Sequence, residues 1–205
     1  MNTELIGKIA AAVVVVSIIP YAIQVWRRKI VPSLTSWSLW TLIGLALLLT
    51  YKSAGATDSV LLYVFGFINP LVISILALWR GTREPLKLWP DVWCIAISIA
   101  SLLLWLVVRG EDAQFLKLTA LGLAILADAF AAIPTVLGAW RRPEEDRPFA
   151  WVTFALANGL NLLAVSEPSF SGYVLPAYMF ITPVVVFLPL IRYRLAEKTP
   201  WSEWI

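Results

Sequence analysis

The sequence predicts an all-α integral membrane protein with seven transmembrane helices, two parallel three-helix repeats joined by a linker helix, and an outside N-terminus. Three observations predict it. Hydrophobic residues make up 60% of the 205 residues and charged ones 14%, which leaves too little polar surface for a water-soluble domain. Seven apolar runs approach the ~20 residues that a ~30 Å hydrocarbon core requires of a helix. The third observation is a repeated stretch: PYAIQVWRRKIVPSLTSWSLW from Pro20 is answered by PTVLGAWRRPEEDRPFAWVTF from Pro134. At a constant offset of 114 positions, Pro20 meets Pro134, Trp26 meets Trp140, Arg27 and Arg28 meet Arg141 and Arg142, and Trp37 meets Trp151. With only 11 Trp in the chain, so many matches in one ungapped register identify an internal repeat.

The predicted spans run from Leu5 to Trp26, Leu34 to Tyr51, Ser59 to Trp79, Leu88 to Val108, Phe115 to Trp140, Phe149 to Val165 and Gly172 to Arg192. The first lacks a charged leader and a small-residue cleavage site, so it reads as a retained span. Short connections with turn residues, such as KSAGATD from Lys52 and SEPSFS from Ser166, leave no room for a separate domain. Repeat matching continues into the third and seventh spans, where Asn69-Pro70 meets Thr182-Pro183 at an offset of 113. The fourth span has no counterpart. An extra span between two three-helix units restores parity, so the units are expected to stand parallel. The expected divisions are residues 1–87, the linker 88–110, and 111–205 with the tail.

Twelve Lys and Arg fall at one end of the spans, among them Arg27 to Lys29, Arg80, Arg141, Arg142 and Arg194; four (Lys8, Lys52, Arg109 and Lys117) fall at the other. The richer end is expected to be cytoplasmic, with the C-terminus, in a plasma or inner membrane. Trp26, Trp79, Trp89, Trp140, Trp201 and Trp204 cluster near that end, where aromatic anchors belong. The same clustering turns the net charge of +3 into a topology signal, so no nucleic-acid partner is expected. With one cysteine, Cys94, and no His, neither an intrachain disulfide nor a thiolate/imidazole metal site is available.

On Pro20 with Arg27 to Lys29 and Ser33 to Ser36, on Pro134 with Arg141 and Arg142, and on Asn69, the chain resembles the PQ-loop and SWEET superfamily. Tyr21 and Thr135 stand where that family's Pro-Gln dipeptide has Gln. The resemblance implies three helices, a linker helix and three helices, an outside N-terminus, and a substrate contact at Asn69, whose counterpart here is Thr182.

Residue chemistry adds its own candidates. Pro20 and Pro134 each remove a backbone hydrogen bond inside a span and read as paired hinges. Asp128, whose repeat mate is Val14, is the acidic residue nearest the middle of any span. A carboxylate there costs ~2.5–3.5 kcal/mol on insertion scales and marks a pathway. Trp151, Phe154, Asn158 and Asn161 share one helical face through spacings of 3, 4 and 3; the mates of the first three are Trp37, Trp40 and Gly44. Aromatic rings above carboxamides suit a ring-shaped polar solute. Tyr178 shares a face with Thr182. The run Glu144, Glu145, Asp146 between Arg142 and Arg147 reads as a solvated turn.

These residues predict a membrane transporter of a small polar solute, working by alternating access, with proton coupling through Asp128 left open. The other reading is a membrane receptor or adaptor of the same fold that binds without moving its ligand. A retinal-type photoreceptor is excluded by the absence of Lys between Gly172 and Arg192. No enzyme is expected, since the spans hold no nucleophile with an evident base, and no cofactor is implied. The expected partners are the solute and the bilayer, with homo-oligomerisation left open.

Overall fold

A computed structural model describes residues 2–28, 31–55, 60–166 and 168–204. Lys29 of the first basic cluster and Ser59, the expected start of the third span, lie outside the described residues. Seven α-helices occur among those described: α1 Thr3–Trp26, α2 Leu34–Ser53, α3 Val60–Arg80, α4 Trp93–Val108, α5 Gln114–Arg141, α6 Pro148–Ala164 and α7 Phe170–Ala196. Local chemistry sets several of their starts. The side chains of Asn2, Ser33 and Ser169 accept the amide hydrogens of Leu5, Ser36 and Gly172, satisfying donors that a helix N-terminus leaves unpaired. Pro148 occupies the first turn of α6, where its missing N–H costs nothing. The fourth run departs most from expectation. A π-helical turn over Leu88–Val92, with Trp89 in an extended conformation, precedes α4, because Pro90 cannot continue a regular helix upstream.

Six helices are long and apolar enough to cross a membrane, counting Leu88–Val108 as one. The remaining one, α6, has 17 residues and spans ~25 Å at 1.5 Å per residue. Large apolar side chains project outward all round the molecule, including Trp79, Val107 and Phe115, each more than 70% exposed. Water would not tolerate such continuous apolar surface, whereas lipid does. The chain is an integral membrane protein.

Six of the helices form a closed ring. In the order α1, α3, α2, α5, α7, α6, each packs on the next, and α6 returns to α1. Exchanging α1 with α5, α2 with α6 and α3 with α7 reproduces the same order. α4 stands outside the ring against α2 and α5, turning its small polar face inward: Cys94, Ser98 and Ser101 are buried, and the Ser101 hydroxyl donates to the Ala120 carbonyl at 2.7 Å. Small residues allow such close approach between spans.

Cross-links tie the basic ends together. The loop after α1 pairs with the loop after α3, Leu34 N donating to Thr82 O at 2.9 Å and Thr82 N to Pro32 O at 3.0 Å, and the Arg80 guanidinium lies 5.2 Å from the Trp26 ring centroid. Arg194, buried near the end of α7, donates to the carbonyls of Pro143, Glu144 and Asp146 in the loop after α5. At the opposite ends, the Tyr51 hydroxyl donates to Gly172 O and Gln114 Nε2 to Ala54 O.

Gly81 sits at the first of these junctions. A Cβ there would lie 2.5 Å from the Pro32 carbonyl oxygen and 2.7 Å from that of Ala77, whereas one at Gly122 would meet nothing within 4 Å. Gly81→Ala is therefore expected to cost ~1–3 kcal/mol of stability through overpacking, and Gly122→Ala to be neutral or stabilising by up to ~1 kcal/mol. Thermal unfolding in detergent checks this; equal midpoints for the two variants would contradict the close approach.

Candidate functional site

The ring encloses a cavity of about 330 Å³, at the lower end of the ~300–1,000 Å³ typical of small-molecule sites. All six ring helices contribute to its lining, and α4 does not. Positions matched at the sequence offsets recur in the wall. Val14 and Asp128, Tyr21 and Thr135, Trp37 and Trp151, and Trp40 and Phe154 are pairs at an offset of 114, and both members of each pair line the cavity. Asn69 with Thr182 and Pro70 with Pro183, at 113, do the same.

Asp128 is 4% exposed. Its Oδ2 accepts the Tyr178 hydroxyl at 2.6 Å, a short hydrogen bond that fixes the carboxyl against α7. On α3, Asn69 is turned toward α1, where its Nδ2 donates to the Val14 carbonyl at 3.0 Å; the Ser17 hydroxyl donates to the same oxygen at 2.7 Å. These bonds hold α1 at a carbonyl near the turn that Pro20 weakens. Pro20 and Pro134 both lie inside long helices. Each leaves the carbonyl four residues earlier, at Val16 and Phe130, without its usual donor.

Away from the basic clusters the lining reaches Leu62 and Tyr63. Tyr51 and Tyr63, both buried, meet edge to face with centroids 4.7 Å apart, and Asn161 Nδ2 donates to the Tyr63 hydroxyl at 3.3 Å. Toward the basic end the lining reaches Asp146 and the exposed Ala150. There Trp151 Nε1 donates to Asp146 Oδ2 at 2.9 Å, and Tyr21 lies 5.1 Å from Trp37 between ring centroids.

Of the residues singled out from sequence, Trp37, Asn69, Asp128, Trp151 and Thr182 converge on the cavity. Tyr178 stands one hydrogen bond behind it, through Asp128. Asn158 and Asn161 are fully buried outside the lining. Asn158 Nδ2 donates to the Phe154 carbonyl, and the Oδ1 atoms of both residues have no partner among the described residues. Pro134 borders a smaller, neighbouring cavity of about 180 Å³, which shares Trp40 and Thr135 with the larger one. Asp146 is the functional candidate that sequence reasoning placed in a solvated turn. The available signal was a carboxylate five residues before a repeat Trp. Among the described residues, no group of three or more His, Cys, Asp or Glu side chains could hold a metal. Comparisons of the chain with family models, curated proteins and solved structures gave no match.

The Tyr178 to Asp128 bond is expected to be worth more than its position on the wall suggests, because removing one partner strands the other in a buried setting. Tyr178→Phe should lower stability by ~1–3 kcal/mol, while the same change in an Asp128→Leu background should have little effect. Thermal unfolding of the four proteins measures the coupling; additive effects would show that the two side chains do not interact.

Proposed function

We propose that the chain carries a small polar solute across the membrane by alternating access between two three-helix units. The observation that carries this reading is the central cavity, walled by matched positions of both halves and holding the mid-span carboxylate of Asp128. The ring order that survives exchange of the halves supports parallel repeats over residues 1–87 and 111–205, with 88–110 as linker, and all seven helices as spans. Such an arrangement is also what the resemblance to the PQ-loop and SWEET superfamily implies. Gathering of the Lys and Arg clusters at one end supports a cytoplasmic C-terminus and an outside N-terminus.

Alternating access needs a site that can be reached from one side at a time. The cavity fits a state open toward the basic, cytoplasmic end, with Tyr51, Tyr63 and Asn161 closing the other. Pro20 and Pro134 lie toward the cytoplasmic ends of α1 and α5, where a weakened turn lets those ends swing. Proton coupling, where present, runs through Asp128, because it is the carboxylate in the wall at mid-span depth.

Reconstitution into proteoliposomes tests the reading. Counterflow of at least one member of a panel of sugars, amino acids, nucleosides and amines is expected above that of empty vesicles, and no flux and no binding across the panel would overturn it. Pro20→Ala and Pro134→Ala restore helix hydrogen bonds and should slow turnover by roughly tenfold, about 1.4 kcal/mol of barrier, with solute affinity unchanged. An unaltered rate would remove the hinges from the mechanism. If a proton accompanies the solute, Asp128→Asn should abolish the pH dependence of uptake; a retained pH profile would place coupling elsewhere.

A further inference from the structure

We propose that the solute is an organic ammonium cation, alkylated or aromatic, that carries no carboxylate of its own. This deepens the transport reading by naming what its cavity selects. Two carboxylates line the cavity, Asp128 at mid-span and Asp146 toward the basic end, and no Lys or Arg among the described residues lines it. Arg27, Arg28, Arg141 and Arg142 near that end are exposed and outside the lining, Arg147 donates to the Ser202 carbonyl, and the Arg194 guanidinium donates to backbone carbonyls of the loop after α5. A chamber with low-dielectric walls whose ionisable lining groups are all carboxyls attracts cations when those groups are ionised.

The same wall carries the rings of Tyr21, Trp37, Trp40, Trp151 and Phe154. Aromatic faces attract alkylated ammonium groups through the ring quadrupole, and ionised carboxylates add longer-range attraction. Asp146 is held for this role. Its Oδ1 accepts the Arg147 backbone N–H at 2.7 Å and its Oδ2 the Trp151 indole N–H, which leaves each oxygen a further acceptor site.

Neutral and zwitterionic solutes fit less well. A sugar requires many paired donors and acceptors, and the Ser17 hydroxyl proton and one Asn69 N–H are already committed to the Val14 carbonyl, which leaves these two residues one N–H and their acceptor sites. An amino acid would bring a carboxylate into a wall that offers it no cation and two like charges.

Binding to the purified full chain in detergent, followed by thermal unfolding and Trp fluorescence, tests the proposal. The probes are choline, tetraethylammonium and benzyltrimethylammonium, set against 3,3-dimethylbutan-1-ol, a neutral isostere of choline, and glycine betaine, which adds a carboxylate. At least one cation is expected to bind at least ~10-fold more tightly than both comparators, as loss of ~1.4 kcal/mol or more of cation attraction implies. Asp146→Asn and Asp128→Asn should each shrink that preference, and Trp151→Leu should weaken the cations more than the isostere. Binding of none of the three cations, equal binding of the isostere, tighter binding of betaine, or a preference that survives both Asn substitutions would overturn the cation assignment. Failure here with flux of another solute in proteoliposomes would leave transport standing, whereas cation binding without flux would leave the selectivity and remove the transport.

Discussion

A carboxyl group in the middle of a membrane-spanning helix must find protein partners or water, since hydrocarbon offers neither. Asp128 has a protein partner and a place in a cavity wall. Tyr178 from α7 donates to one oxygen at 2.6 Å, and the residue lies in the wall of the central cavity. The ring of six helices, the small-residue contacts of α4 and the polar groups spent on the Val14 carbonyl are all compatible with a chamber built around that side chain. Without the chamber, Asp128 would be a stranded polar group costing ~2.5–3.5 kcal/mol.

The proposed repeat units keep few residue types in common. Positions 20 and 134, 70 and 183, and 37 and 151 keep Pro, Pro and Trp, the residues that bend helices or fill large areas of wall. Elsewhere the mates diverge: Val14 opposes Asp128, Tyr21 opposes Thr135, and Gly44 and Leu47 in the lining correspond to Asn158 and Asn161 behind it. A symmetric scaffold with asymmetric functional groups can repeat a fold while presenting an unequal surface to a bound molecule. Within it, the carboxylates belong to the second half and Asn69 to the first.

Much of this organisation was legible in the sequence because lipid imposes length and hydropathy so strictly. Hydropathy places the starts of α1, α2 and α7 within two residues, and the side chains of Asn2, Ser33 and Ser169, which that reading did not use, cap them at Thr3, Leu34 and Phe170. Depth along a helix was harder to read than face. Trp151, Phe154, Asn158 and Asn161 share one side of α6, yet the first two meet the cavity while Asn161 meets Tyr63 away from the basic clusters. Periodicity assigns an angle and says nothing of what stands opposite at each level. Asp146 escaped for a related reason: amid Glu144 and Glu145 it resembles solvated charge. What distinguishes it is tertiary, the hold of Arg194 on the loop carbonyls and the Trp151 indole on the carboxylate.

Water access to the middle of the ring is the property on which the functional reading turns. Cys94 is the only cysteine, so Cys94→Ala yields a thiol-free background in which Thr182→Cys places one reporter in the cavity wall. Labelling by a membrane-impermeant thiol reagent applied to either face of oriented vesicles measures that access directly. The reporter is expected to react from the basic face in the resting protein, with reaction from the opposite face appearing under turnover. A thiol at residue 182 that stays inert from both faces, in a protein that remains folded, would contradict a solute pathway through the ring.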